Sequence, residues 1–303
     1  MIALVIISAV LVLLIAVILV FFKMAFVRGK IDDYMASEPK DPQKKQFYEE
    51  MKAGVDWYNA RSKESVYIKS YDGLKLHAEY IKADKESDRL VIMFHGYRSI
   101  AKNDFCCAMT YYSSLGADLL LVDQRAHGRS EGRLITFGVK ERFDARDWVE
   151  YAKSRFGATK KIYLSGMSMG SSTVMMASNL VEGVSGIVAD CGFTSPKEII
   201  QIVAKKQFHL PKWCVAPVGA IAKLFCGFDY SYSTVNSLKD ARAPILFIHG
   251  SKDDFVPPYM TDESFDACTS KKHKIIASGA PHGYSFLYAT DEIKKEIKKL
   301  LEI

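Results

Sequence analysis

Eight short β-type runs recur along this chain: VYIKS, LHAEYI, LVIMFHG, LLLVDQR, KIYLSG, GIVADCG, PILFIHG and KIIASGA. They limit what it can fold into more than any other feature. From the third onward, most are continuously apolar rather than alternating, the pattern of strands covered on both faces in a parallel sheet. Helical patterns separate them, at Asn103 to Leu115, Val139 to Arg155, Met169 to Val181, Met260 to Ser270, and Tyr284 to the end. Strand and helix in repeated alternation predict an α/β fold, a mostly parallel eight-stranded sheet with helices on both faces. With 303 residues, 49% of them hydrophobic, the chain has material for a full core.

A second constraint stands at the N-terminus. Ile2 to Phe22 runs for 21 residues without a charge, long enough to cross a hydrocarbon layer of about 30 Å as a helix. It lacks the basic start and small-residue cleavage site of a signal peptide, so it reads as an uncleaved, single-pass anchor. Lys23, Arg28 and Lys30 follow the run and only the α-amino group precedes it, which favours a cytoplasmic main domain by the positive-inside rule. The expected division is an anchor over 1–23, a juxtamembrane linker and helix over 24–63, and a main domain over 64–303. In the juxtamembrane part Pro39 and Pro42 mark a linker, and Phe47, Met51, Val55 and Tyr58 carry helical spacing.

Composition excludes some chemistries. The six cysteines show neither CxxC nor Cys/His spacing, so no structural zinc is expected and they read as free thiols. The net charge of +6 is scattered in short basic clusters such as KKHK, which reads as solvated faces rather than a nucleic-acid surface.

One segment breaks the rhythm. An insertion over 193–242 contains two helical candidates, Pro196 to Gln207 and Trp213 to Phe225, and the second is nearly all apolar. Two readings stand: a pair of helices simply packed on the core, or a small cap over a site.

In KIYLSGMSMGSS, Gly166, Ser168 and Gly170 form G-x-S-x-G between an apolar strand and a helical pattern. A sharp strand-to-helix turn strains its central residue and brings the two backbones too close for side chains at the flanking positions. Ser168 is thereby a candidate nucleophile, and it needs a base. Of seven histidines, His77, His209 and His273 read as structural or solvated, His127 as a loop residue, and His95 and His249 as turn supports in HG pairs. His282, after the last strand, remains.

From about Val66 onward the chain resembles an α/β-hydrolase of the serine aminopeptidase and monoacylglycerol-lipase-like group. The resemblance is carried by FHGYRS, DQRAHGRSEG, GMSMG, HGSKDDFVP and APHG in that order. It implies an α/β-hydrolase fold with a small helical cap and a catalytic triad of Ser168, Asp253 and His282, Asp254 being the alternative acid. It implies an oxyanion hole from the backbone N–H groups of Met169 and Tyr97, and no metal or cofactor. Ala126 departs from the pattern, since related sequences often read RGHG there.

The expected function is a membrane-anchored serine hydrolase acting on a small-molecule ester, acyl or lipid-like, through an acyl-enzyme. Two alternatives stay open. A peptidase of the same fold would need acids to hold an α-ammonium group, and the insertion offers only a few, such as Glu198 and Asp229. A catalytically silent, membrane-tethered binding protein is the other.

Overall fold

The computed structural model describes residues 1–31, 38, 42–157 and 159–302. Pro39, and with it part of the expected linker, lies outside them. The chain begins with helix α1 (Ile2–Phe26), followed by α2 (Tyr48–Ala60). Then come β1 (Glu64–Lys69), β2 (Lys75–Ile81), β3 (Arg89–Phe94), α3 (Cys106–Ser114), β4 (Asp118–Val122) and α4 (Glu141–Phe156). The second half holds β5 (Lys161–Met167), α5 (Met169–Ala177), β6 (Val184–Asp190), α6 (Pro196–Phe208) and α7 (Ala216–Cys226). It closes with β7 (Ile245–Gly250), α8 (Tyr259–Ala267), β8 (Lys272–Ala277) and α9 (Thr290–Leu300).

Among the described residues the strands form one sheet in the order β1-β2-β4-β3-β5-β6-β7-β8. The β1–β2 and β2–β4 pairs are antiparallel and the rest are parallel. Strand alternation divides the core between the faces. Leu90, Ile92 and Phe94 of β3 face Trp148 of α4 and Val174 of α5. Val91 and Met93 face Met109 and Tyr112 of α3 and the Ile293–Ile297 edge of α9. Apolar side chains are therefore needed at successive positions, which is why these runs do not alternate.

The strand order reverses at β3, between β4 and β5. Ligand crevices in open α/β sheets lie at such a switch point, beyond the strands' carboxyl ends, and the loops after β3 and β5 both open there.

Two glycines let β5 turn into α5 at this place. A Cβ on Gly166 would stand 2.3 Å from the Gly170 carbonyl oxygen, and one on Gly170 only 1.7 Å from the Phe94 carbonyl oxygen. Ser168 between them adopts φ 54°, ψ −114°, a region costing on the order of 1–3 kcal/mol for a residue with a Cβ.

The end of α1 is built into the domain. Phe26 is fully buried between Phe137 and Phe228, and Val27 bridges Leu134. The Tyr97 hydroxyl donates to the carbonyls of Met24 (2.9 Å) and Ala25 (3.0 Å), and the Arg98 guanidinium to Met24 (2.9 Å). These carbonyls end a helix and have no partner within it. The helix thus runs beyond residue 23, and its last turn is bonded directly to the loop after β3.

Gly170→Ala is expected to destabilise by about 3 kcal/mol or more, because backbone stands in the way. At Gly116, φ is +78° and a Cβ would meet nothing, so Gly116→Ala is expected to cost only about 1–2 kcal/mol of left-handed strain. Urea midpoints of the two variants measure the difference; equal shifts would refute the close approach at Gly170.

Candidate active site

Ser168 caps the N-terminus of α5, its own N–H bound to the Asp190 carbonyl of β6 at 2.9 Å. Its Oγ lies 3.0 Å from His282 Nε2, and His282 Nδ1 lies 2.7 Å from Asp253 Oδ2. The tautomer that satisfies both contacts carries its proton on Nδ1 and donates it to the carboxylate, leaving Nε2 to accept from the serine hydroxyl. Asp253 follows β7 and His282 follows β8, so adjacent parallel strands deliver both to one edge of the sheet.

Asp253 is 4% exposed and its carboxylate is fully bonded. Oδ1 accepts the N–H groups of Phe255 (3.0 Å) and Val256 (2.8 Å). Oδ2 faces His282 and, at 3.1 Å, His249 Nε2. Burial pushes the carboxyl up, but hydrogen bonds from His249 and His282 outweigh it and hold Asp253 at about 2. Its neighbour Asp254 is exposed, so the structure brings Asp253, not Asp254, to the histidine.

His249 has a larger part than support of a turn. Its Nε2 also lies 2.8 Å from the Val256 carbonyl, and its Nδ1 2.6 Å from Thr261 Oγ1. Burial lowers this imidazole, but the Asp253 bond overrides it and holds His249 above its ordinary range. It bonds the same Asp253 oxygen as His282 does. The HG-x-x-D spacing carried a signal for this, since strand end and carboxylate are four residues apart.

The loop after β3 runs over the serine, with a Cβ on Gly96 standing 3.4 Å from Ser168 Cβ. Asp104 Oδ2 accepts the Gly96 N–H at 2.5 Å, and His127 Nε2 accepts the Arg98 N–H at 3.0 Å. Burial, then His95 beside it, pushes His127 down to about 3, so it stays a neutral acceptor. Tyr97 lies between these two fixed points. Met169 is the first residue of α5, so its N–H falls among those the helix ladder does not use. Ala126 adopts φ 61°, the left-handed region in which glycine is unstrained.

A cavity of about 650 Å³ opens at Ser168 and His282. It runs inward between the sheet and the α3 and α9 helices, along Val188, Ile248, Phe286, Leu287 and Ile297. Its lining includes no residue of the 193–242 insertion. The insertion's helices pack against Met169 and Phe137, with Val218 and Ala222 buried there, and α7 packs along α1. Trp213 to Phe225 therefore does not wall the cavity; Val218 and Ala222 pack inward, toward α1 and the core, while Trp213, Leu224 and Phe225 are exposed.

Cys191 Sγ, the Asp253 carboxylate and a His282 nitrogen lie within 4.8 Å of one another. Both ring nitrogens of His282 and both oxygens of Asp253 are already engaged, and burial holds the Cys191 thiol well above the thiol range, so the set fits proton transfer better than a metal.

The alpha/beta hydrolase fold family matches residues 89–216. The uncharacterized protein YqkD of Bacillus subtilis is 25% identical over 227 residues, covering 74% of each chain. The protein bem46 of Schizosaccharomyces pombe is 27% identical over 216 residues, 71% of this chain and 66% of its own length. The uncharacterized membrane protein YNL320W of Saccharomyces cerevisiae is 23% identical over 215 residues, 70% of each. Among solved structures, the Pyrococcus furiosus esterase Pf2001 superposes with a TM-score of 0.66 at 25% identity, over 80% of this chain and 91% of that one. The sheet order, the strand-serine-helix turn and these likenesses agree: the chain has the alpha/beta hydrolase fold.

Proposed function

We propose that this protein is a membrane-anchored serine hydrolase that cleaves carboxylic esters with an apolar acyl group. The observation that carries the reading is the continuous chain Ser168–His282–Asp253 at the mouth of a mostly apolar cavity. The similarity to an esterase at 25% identity supports the same bond type, and α1, long and apolar enough to cross a membrane, supports the anchoring.

In the proposed reaction, His282 Nε2 takes the hydroxyl proton as Ser168 Oγ attacks the ester carbonyl. Asp253 holds the imidazole in the required tautomer and stabilises the imidazolium. The developing oxyanion is held by the N–H groups of Met169 and Tyr97, where the amino end of α5 adds a favourable dipole. His282 then gives its proton to the departing alcohol, and water drawn through the same base releases the acid. The acyl chain runs inward toward Leu287 and Ile297, since that is where the cavity leads.

A fluorophosphonate probe is expected to label the wild type and not Ser168→Ala, with His282→Ala and Asp253→Asn strongly weakened. Absence of labelling in a folded wild type would sink the enzyme reading and favour a binding protein. Against p-nitrophenyl esters of increasing length, Leu287→Trp is expected to move the preference toward shorter chains; an unchanged profile would place the acyl group elsewhere.

Asp190 lines the same cavity, and burial pushes its carboxyl up to about 6. A carboxyl raised on folding contributes stability that is present below its unfolded pKa and lost as pH rises through the folded one, here from about 4 to 6. Asp190→Asn is therefore expected to melt higher than the wild type at pH 8, the gap closing by about pH 4. A Tm difference independent of pH would contradict the assignment.

A further inference from the structure

The insertion carries a surface that the serine site does not use. Phe208, Trp213, Leu224 and Phe225 are 39%, 76%, 77% and 75% exposed. Scattered exposed apolar residues are ordinary, but four large ones on α6, α7 and the short turn between them (Lys212–Val215) mark a surface that meets something. From Ile199 to Phe228 the sequence contains Lys205, Lys206, Lys212 and Lys223 and no acidic residue. All four lysines are exposed.

The location narrows the partner. The Phe208 ring meets Phe21 of α1 edge-on at 5.1 Å, and α7 packs along α1. Phe21 and Phe22 end the uncharged run, so Phe208 stands at the level where α1 leaves the apolar layer. Trp213 follows five residues later. A second copy of this chain is a poor occupant, because a symmetric contact through this face would set lysines against lysines.

We propose that this edge, centred on Trp213, docks on the surface of the bilayer that α1 enters, with preference for anionic headgroups. The proposal rests on the reading of α1 as a membrane anchor. Indole is suited to the headgroup boundary, where its ring is apolar and its N–H is wet. Leu224 and Phe225 sink to the acyl boundary, and the lysines lay their stems along it and reach anionic phosphates. The contact seats the domain on the membrane. Tyr97, at the cavity, is bonded to the turn of α1 that leaves the bilayer, so the site's entrance is held close to where an apolar ester would reside.

The test uses the full chain in phosphatidylcholine vesicles with and without phosphatidylglycerol. The emission of Trp213 is taken as the difference between wild type and Trp213→Phe. Lipids brominated high on the acyl chain are expected to quench this difference at least about twofold, more than lipids brominated near the chain end. Quenching is expected to be stronger with phosphatidylglycerol. Changing Lys205, Lys206, Lys212 and Lys223 together to Gln is expected to remove that enhancement. A difference emission that stays red and unquenched, from protein that remains with the vesicles after an alkaline wash, would overturn the docking while leaving the anchor standing. Blue-shifted emission insensitive to bromine but rising with the protein-to-lipid ratio would assign the face to a second copy and overturn it too. Release of the protein by the wash would overturn the anchor reading, and the proposal with it.

Discussion

The approach of α5 to β3 governs the site. With Gly170 pressed against the Phe94 carbonyl, the residue between strand and helix has one conformation that connects them, the strained one in which Ser168 stands above the sheet. Local strain persists only where the surroundings over-determine it. Here the Ser168 N–H is held by Asp190, the Ser168 carbonyl accepts the Ser172 N–H at 3.0 Å, and the helix behind is completely buried. A cost of a few kcal/mol is opposed by a whole buried helix and its packing, so the serine has nowhere to relax. Asp253 and His282 are held as firmly by different means, with the Asp253 carboxylate bonded by Phe255, Val256, His249 and His282.

The same logic joins α1 to the site. The helix ends in carbonyls that need donors, and in this chain the donors are Tyr97 and Arg98, in the loop that runs over Ser168. The Arg28 guanidinium fixes the next turn of chain to the carbonyls of Ser130 (2.7 Å) and Gly128 (2.5 Å). The end of α1, the loop after β3 and the loop after β4 are one bonded unit. The α1 residues that pack on the domain, Phe22 and Phe26 among them, are drawn from the apolar run itself or its edge, so the apolar helix and the domain core share side chains.

That sharing marks the limit of what the sequence shows. The strands were legible because burial on both faces leaves an unbroken apolar signature, and the serine turn because only glycine fits the flanking positions. The adjacency of Asp253 and His282 followed from motifs that end neighbouring strands. The course of the cavity was not legible: Val188, Ile248 and Ile297 line it and read in sequence as ordinary core, which they also are. The role of Trp213 to Phe225 was not legible either. An apolar helix announces that it covers something, and nothing in its pattern distinguishes an active site from an apolar helix coming from the other end of the chain. Ala126 shows a smaller gap, since its left-handed φ is imposed by a loop held through Arg125, whose guanidinium binds Asp144 and Asp72.

The histidines show how hydrogen bonding, more than position, selects the base. Four of them gather at the carboxyl edge of the sheet, and three are fully occupied by the scaffold. His95 has Nδ1 2.7 Å from the Gly96 carbonyl and accepts the Gln124 N–H at Nε2. His127 is held between the Arg125 carbonyl and the Arg98 N–H, and His249 between Thr261, Val256 and Asp253. At His127 a proton on Nε2 would set a donor against the Arg98 N–H, and burial adds to the penalty, whereas His249 is held above its ordinary range by Asp253 and faces Thr261 and Val256 rather than Ser168. His282 is different in one respect: its Nε2 faces the hydroxyl of Ser168, which can lose its proton and still accept a hydrogen bond. Protonation there leaves no group unsatisfied, and the new charge meets Asp253 at 2.7 Å. The three other imidazoles hold the loops that frame the site, and the fourth is the one whose ring nitrogen faces Ser168.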